Sequence, residues 1–129
     1  MSDAFEPLIG EWEVEVPAFG GHGRTIFERL GAFVVQRSIV PDPGPDSVSI
    51  IGDGVVNYFD ARGVKRIYQT SLDGRVWKIW RDDPDDFSQR FSGTLAEDGR
   101  TISAAWEKCM DGRTWEFDFE MIYTRISPR

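Results

Sequence analysis

The sequence predicts an all-β fold, an up-and-down antiparallel β-barrel of about nine strands with a short N-terminal helical turn. Three observations carry that prediction. Turn signals recur at short intervals, at Asp60-Ala61-Arg62-Gly63, Asp73-Gly74, Asp98-Gly99 and Asp111-Gly112, and Asp-Gly is the preferred pair of the two-residue hairpin turn. Between them run segments rich in Val, Ile, Thr, Tyr, Phe and Trp, residues that fit a pleated, half-buried surface. Only residues 3–9, DAFEPLI, suit a helical turn. That is too little helix to cover a sheet, so the strands must close into a barrel or stack as a sandwich, and sequential hairpins favour the up-and-down barrel.

Taken in order, the strands fall near 10–17, 24–30, 32–40, 47–59, 64–72, 75–82, 88–96, 101–109 and 114–125. The first sets Trp12, Val14 and Val16 against Glu11, Glu13 and Glu15, the alternation of a one-sided strand. FGGHGR separates it from the second, and PDPGPD at 41–46 is the longest punctuation before the fourth, which bends or breaks at Gly52 and Gly54. Trp77 and Trp80 would share a helix face, but the turns on either side make DGRVWKIWRDD a strand and send the two rings to opposite faces. No stretch reads as an interdomain linker, and 129 residues suit one barrel domain spanning 1–129.

The turns also set register. A two-residue loop at 98–99 pairs Leu95 with Ile102, Gly93 with Ala104 and Phe91 with Trp106. The same rule at 111–112 pairs Trp106 with Phe117, Ala104 with Phe119 and Ile102 with Met121. These residues share one face, and the acids Glu107, Glu116, Asp118 and Glu120 fall on the other. At 73–74 the rule pairs Thr70 with Trp77, Tyr68 with Ile79 and Arg66 with Arg81 on the inner face, which leaves Ile67 and Trp80 outside.

A formal net charge of −7 and a pI near 4.7 repel phosphate backbones and anionic lipid, so neither nucleic acid nor membrane is an expected partner. The start lacks a basic segment followed by an apolar one, and no apolar run approaches the roughly 20 residues that span a bilayer. A cytoplasmic location is therefore expected. Cys109 is the single cysteine, which excludes an intrachain disulfide and a thiolate metal cluster.

PLIGEWEVEV near the start, FDARGVKRIYQTSLDG in the middle and RFSGTL, TISAAWEK and DGRTWEFDFEMIYTRI at the end resemble a family of small bacterial calycin-type barrels, related in shape to lipocalins, fatty-acid-binding proteins and the haem-binding nitrobindins. The resemblance covers nearly the whole chain. It implies a barrel of ten or nearly ten strands around a cavity for a small, largely apolar ligand. The Gly-x-Trp-x-Gly-x-Gly opening of nitrobindins is half present, as Gly10-Glu11-Trp12, and the C-terminal half holds no histidine to ligate haem from inside. No cofactor is expected.

The remaining chemistry-bearing residues favour plain readings. His22 lies in a glycine-flanked loop and Cys109 lacks a nearby base or cation cluster. RDDPDDF at 81–87 lacks the alternating ligands, central Gly and closing Glu of a calcium loop. Arg66 opposite Arg81 is the exception. Two guanidiniums across a hairpin repel unless an anion lies between them, or unless rim acids such as Asp60, Asp82 or Asp83 neutralise them. The expected function is binding of a small hydrophobic or amphipathic ligand, anionic in one version, by Trp12, Arg66, Tyr68, Trp77, Arg81, Phe91, Trp106, Phe117, Phe119 and Tyr123. Two alternatives remain open: a cofactor-free cyclase or isomerase using the cavity as its mould, and a packed dimeric module. The outer face with Ile67 and Trp80 is the candidate homodimer surface.

Overall fold

The structure, a computed structural model, describes residues 4–40, 44–83 and 85–127. A 3-10 turn at Glu6–Leu8 precedes ten strands: β1 Gly10–Glu15, β2 His22–Leu30, β3 Phe33–Ile39, β4 Ser47–Gly52, β5 Val55–Asp60, β6 Lys65–Asp73, β7 Val76–Arg81, β8 Ser88–Leu95, β9 Thr101–Cys109 and β10 Trp115–Ser127. Each strand pairs antiparallel with its neighbours in sequence, and β1 pairs with β10 to close the barrel. Closure leaves no sheet edge with unpaired backbone groups. No helix among the described residues is long and apolar enough to cross a membrane.

The tenth strand comes from the segment 47–59, which turns back on itself. Asp53 and Gly54 have φ of 55° and 74°. Positive φ at both central residues is the type I′ requirement, and its usual Asn-Gly or Asp-Gly pair is here Asp53-Gly54. Ile51 therefore lies opposite Val56, and the segment expected to bend or break at Gly52 and Gly54 breaks there into a hairpin.

Register agrees with expectation at β8/β9, where Phe91 faces Trp106, Gly93 faces Ala104 and Leu95 faces Ile102. It differs at two hairpins. In β6/β7 the loop is Gly74-Arg75, with Gly74 at φ 63° in the first central position, so Asp73 pairs with Val76 and Thr70 with Ile79. The shift is two residues, which preserves the faces because side chains alternate with period two. Tyr68, Thr70, Trp77 and Ile79 are buried, while Ile67 and Trp80 are 62% and 36% exposed. In β9/β10 the Asp111 carboxylate accepts bonds from the backbone N–H of Arg113 and Thr114 and stretches the loop, so that Cys109 pairs with Trp115. A bulge between Phe117 and Phe119 adds a further residue. Phe117 pairs with outward-facing Glu107 and is 66% exposed, and Phe119 takes the inward place opposite Trp106.

One end of the barrel is floored by the N-terminal turn. Leu8 and Trp12 are fully buried, and the Trp12 indole N–H donates to the Leu8 carbonyl at 2.9 Å. Arg125 clamps this plug, donating to the carbonyls of Ile9 at 2.8 Å, Pro7 at 2.6 Å and Gly99 at 2.9 Å. Its guanidinium lies 4.1 Å from the centre of the Trp12 ring.

Candidate ligand cavity

Above this floor the barrel encloses a cavity of about 470 Å³, within the range of small-molecule sites. Its mouth lies at the end where Phe19, Pro45, Arg62, Phe87 and Met110 contribute. One wall is aromatic. Trp77 packs edge-on against Phe91 with ring centres 4.8 Å apart, and Phe91 lies 5.2 Å from Trp106, which pairs with Phe119. Tyr68 meets Trp106 at 5.9 Å and Tyr123 meets Trp77 at 6.1 Å. The wall across from it carries Gln36, Ser38, Ser47 and Ser49 from β3 and β4.

Charge collects at the mouth. Asp60 accepts from the Tyr58 hydroxyl at 2.8 Å and from the Arg62 side chain at 2.7 Å, and its carboxylate is closed off from solvent. The bonds from Arg62 hold its carboxyl well below the usual carboxylate range. Burial, reinforced by the bond to anionic Asp60, pushes the Tyr58 hydroxyl above its ordinary value. Burial also raises Tyr68, against a lowering by nearby Arg66, and burial alone raises Tyr123. All three phenols are therefore protonated at neutral pH. Lys108 and Asp118, 3.9 Å apart, form a loose ion pair on the cavity wall.

Arg66 and Arg81 do not pair across the hairpin as the assumed turn implied, because the two-residue shift separates them along it. They converge on one ring, Phe87, at 5.2 and 4.8 Å from its centre. Their environments differ. Arg81 is nearly enclosed, donates to Gln89 at 3.1 Å and to Asp86 at 3.1 Å, and faces Asp83 at 3.4 Å. Gln89 accepts from Tyr68 through the same oxygen. Arg81 is thus a neutralised rim residue. Arg66 lines the cavity and has no carboxylate partner among the described residues.

Of the ten expected ligand residues, the cavity gathers Arg66, Tyr68, Trp77, Phe91, Trp106, Phe119 and Tyr123. Three lie elsewhere. Trp12 belongs to the floor, Arg81 to the rim, and Phe117 is turned out to solvent by the bulge. The same bulge brings Asp118, expected outside, onto the cavity wall. Sequence reasoning missed the polar wall, Tyr58 and Gln89. Ser47-x-Ser49 and Gln36-x-Ser38 at period two were the available signal. The Trp77 indole N–H is buried with no acceptor among the described residues.

His22 is exposed, 3.8 Å from Glu13, and does not line the cavity. Cys109 is buried with its thiol 3.8 Å from Asp111. Among the described residues, no group of three or more His, Cys, Asp or Glu could hold a metal ion. The acidic run is tied to Arg81 and to its own backbone, Asp83 accepting from the Asp85 N–H at 3.0 Å.

Fold and site define a closed ten-stranded antiparallel barrel with an interior cavity open at one end. A solved structure with this architecture is the crystal structure of Rv2717c from M. tuberculosis, which superposes with a TM-score of 0.60 over 98% of this chain and 99% of that one, at 15% identity. No protein-family model matches the sequence, and no curated protein matches it. The likeness at this identity is one of fold.

Proposed function

We propose that the protein binds a small amphipathic molecule, with the apolar body against the aromatic wall and an anionic head at Arg66. The observation that carries this reading is the mouth cation. Arg66 faces a cavity of about 470 Å³, is stacked on Phe87, and among the described residues lacks carboxylates like those that neutralise Arg62 and Arg81. Aromatic area supplies affinity as it leaves water, at about 25 cal/mol per Å², while a positioned guanidinium supplies orientation and a bidentate fit to an anion. The resemblance to calycin-type barrels supports the same reading, since those barrels hold small apolar ligands in this interior.

The test uses 8-anilinonaphthalene-1-sulfonate and its uncharged counterpart N-phenyl-1-naphthylamine. Arg66→Met should weaken the sulfonate by about 1.5–3 kcal/mol, the range for hydrogen bonds to charged groups, and change the neutral amine little. Equal losses for both compounds would reduce Arg66 to a rim residue.

A further inference from the structure

The two long walls of the cavity differ in chemistry along their length. In a ring of ten strands, β3 and β4 lie five places from β8 and β9, so these pairs face each other across the interior. Gln36 pairs with Ser49 and Ser38 with Ser47, which places four polar side chains on two adjacent rungs of one wall. The facing rung runs Phe91, Trp106, Phe119.

The polar wall is partly self-satisfied and partly open. Thr25 and Ser38 share a 2.7 Å hydroxyl bond, and the Gln36 amide nitrogen leans on both, at 3.3 and 3.4 Å. That anchoring commits the amide nitrogen and leaves the Gln36 carbonyl oxygen as an acceptor. Among the described residues, no side chain bonds the hydroxyl of Ser49, a residue that is only 6% exposed and lines the cavity. An alkyl chain filling the interior would strip water from these groups and return no hydrogen bond, a cost that a hydroxyl or carbonyl edge avoids. The tyrosines do not change this balance, because Tyr58, Tyr68 and Tyr123 donate to Asp60, Gln89 and, at 3.7 Å, the Met121 sulfur.

We infer that the ligand is a fused or linked aromatic ring system oxygenated along one edge, not an unbranched fatty acyl chain. The oxygens meet Gln36, Ser38 and Ser49, and the bare edge meets the faces of Phe91, Trp106 and Phe119 in the edge-to-face arrangement aromatic rings prefer. The inference rests on the proposed binding in the barrel and adds the class of molecule bound there.

The test compares 1,8-dihydroxynaphthalene, naphthalene and dodecanoate by quenching of tryptophan fluorescence and by calorimetry. The dihydroxy compound is expected to bind at least tenfold more tightly than either of the others. Ser49→Ala and Gln36→Leu should each cut that preference to threefold or less; Ser49→Ala removes one oxygen and keeps the fold safe if Gln36→Leu does not. Dodecanoate or naphthalene binding as tightly as the dihydroxy compound, or a preference that survives both substitutions, overturns the inference and leaves barrel binding standing. Failure of all three probes to bind overturns both.

Discussion

Replacing Arg125 by methionine should unplug the floor of the barrel. Among the described residues the guanidinium makes three bonds of 2.6–2.9 Å to carbonyls of Pro7, Ile9 and Gly99, and covers the face of Trp12. Bonds to a charged donor contribute about 1.5–3 kcal/mol each, and cation–π contacts about 0.5–2 kcal/mol. They are not additive here, because the Pro7 and Ile9 carbonyls can regain water once the turn lifts away. A net loss of about 3 kcal/mol follows. With an unfolding entropy of roughly 2.1 cal/mol/K per residue, that corresponds to a fall in Tm of about 10 °C for this chain. Urea unfolding read by far-UV circular dichroism checks it, with an unchanged denaturant slope showing that stability alone has moved. A loss under about 1 kcal/mol would refute the clamp and make the turn an ornament on a barrel that is stable without it.

Two further outcomes follow from the register and the buried phenols. Phe117→Ser should leave stability within about 0.5 kcal/mol and leave probe binding intact, whereas Phe119→Ala should cost about 3 kcal/mol or less, given its partial burial, and weaken binding; the reverse order would move the bulge. The three tyrosines all hold their protons more tightly in the fold than in the unfolded chain. The stability they contribute is therefore complete below the ordinary value near pH 10 and is lost as pH rises above it. Tyrosinate absorbance at 295 nm should appear together with loss of circular dichroism, and a tyrosine ionising near pH 10 in an intact fold would contradict this.

The faces of the barrel were more legible than its pairings. Period-two alternation identified Trp12, Val14 and Val16, and Tyr68, Thr70 and Trp77, as inward whatever the turn geometry, since the β6/β7 shift was two residues. Loop length was not legible at Asp111, whose carboxylate draws three following residues into the turn, and a bulge has no strong signature in WEFDFEM. Those two features together misplaced Phe117 and Asp118. Of the two readings open for Arg81, ligand residue or rim residue neutralised by acids such as Asp83, the structure shows the rim contacts. Pairing alone says nothing of Asp86 and Gln89, which the long side chain also reaches. The polar wall escaped notice because VVQRSIV carries apolar residues at both parities. Burial then separates the parities, Val34 and Ser38 facing in and Arg37 and Ile39 out.

Under the proposed function, the barrel interior and not its outside is the binding surface. Titration with N-phenyl-1-naphthylamine tests it most directly when the protein is compared with Met121→Trp, a substitution that fills the cavity from β10. One saturable site per chain with blue-shifted emission is expected, lost in Met121→Trp while the fold and melting transition persist. Equal binding by the filled variant would contradict it and transfer the apolar affinity to the exposed face around Ile67 and Trp80.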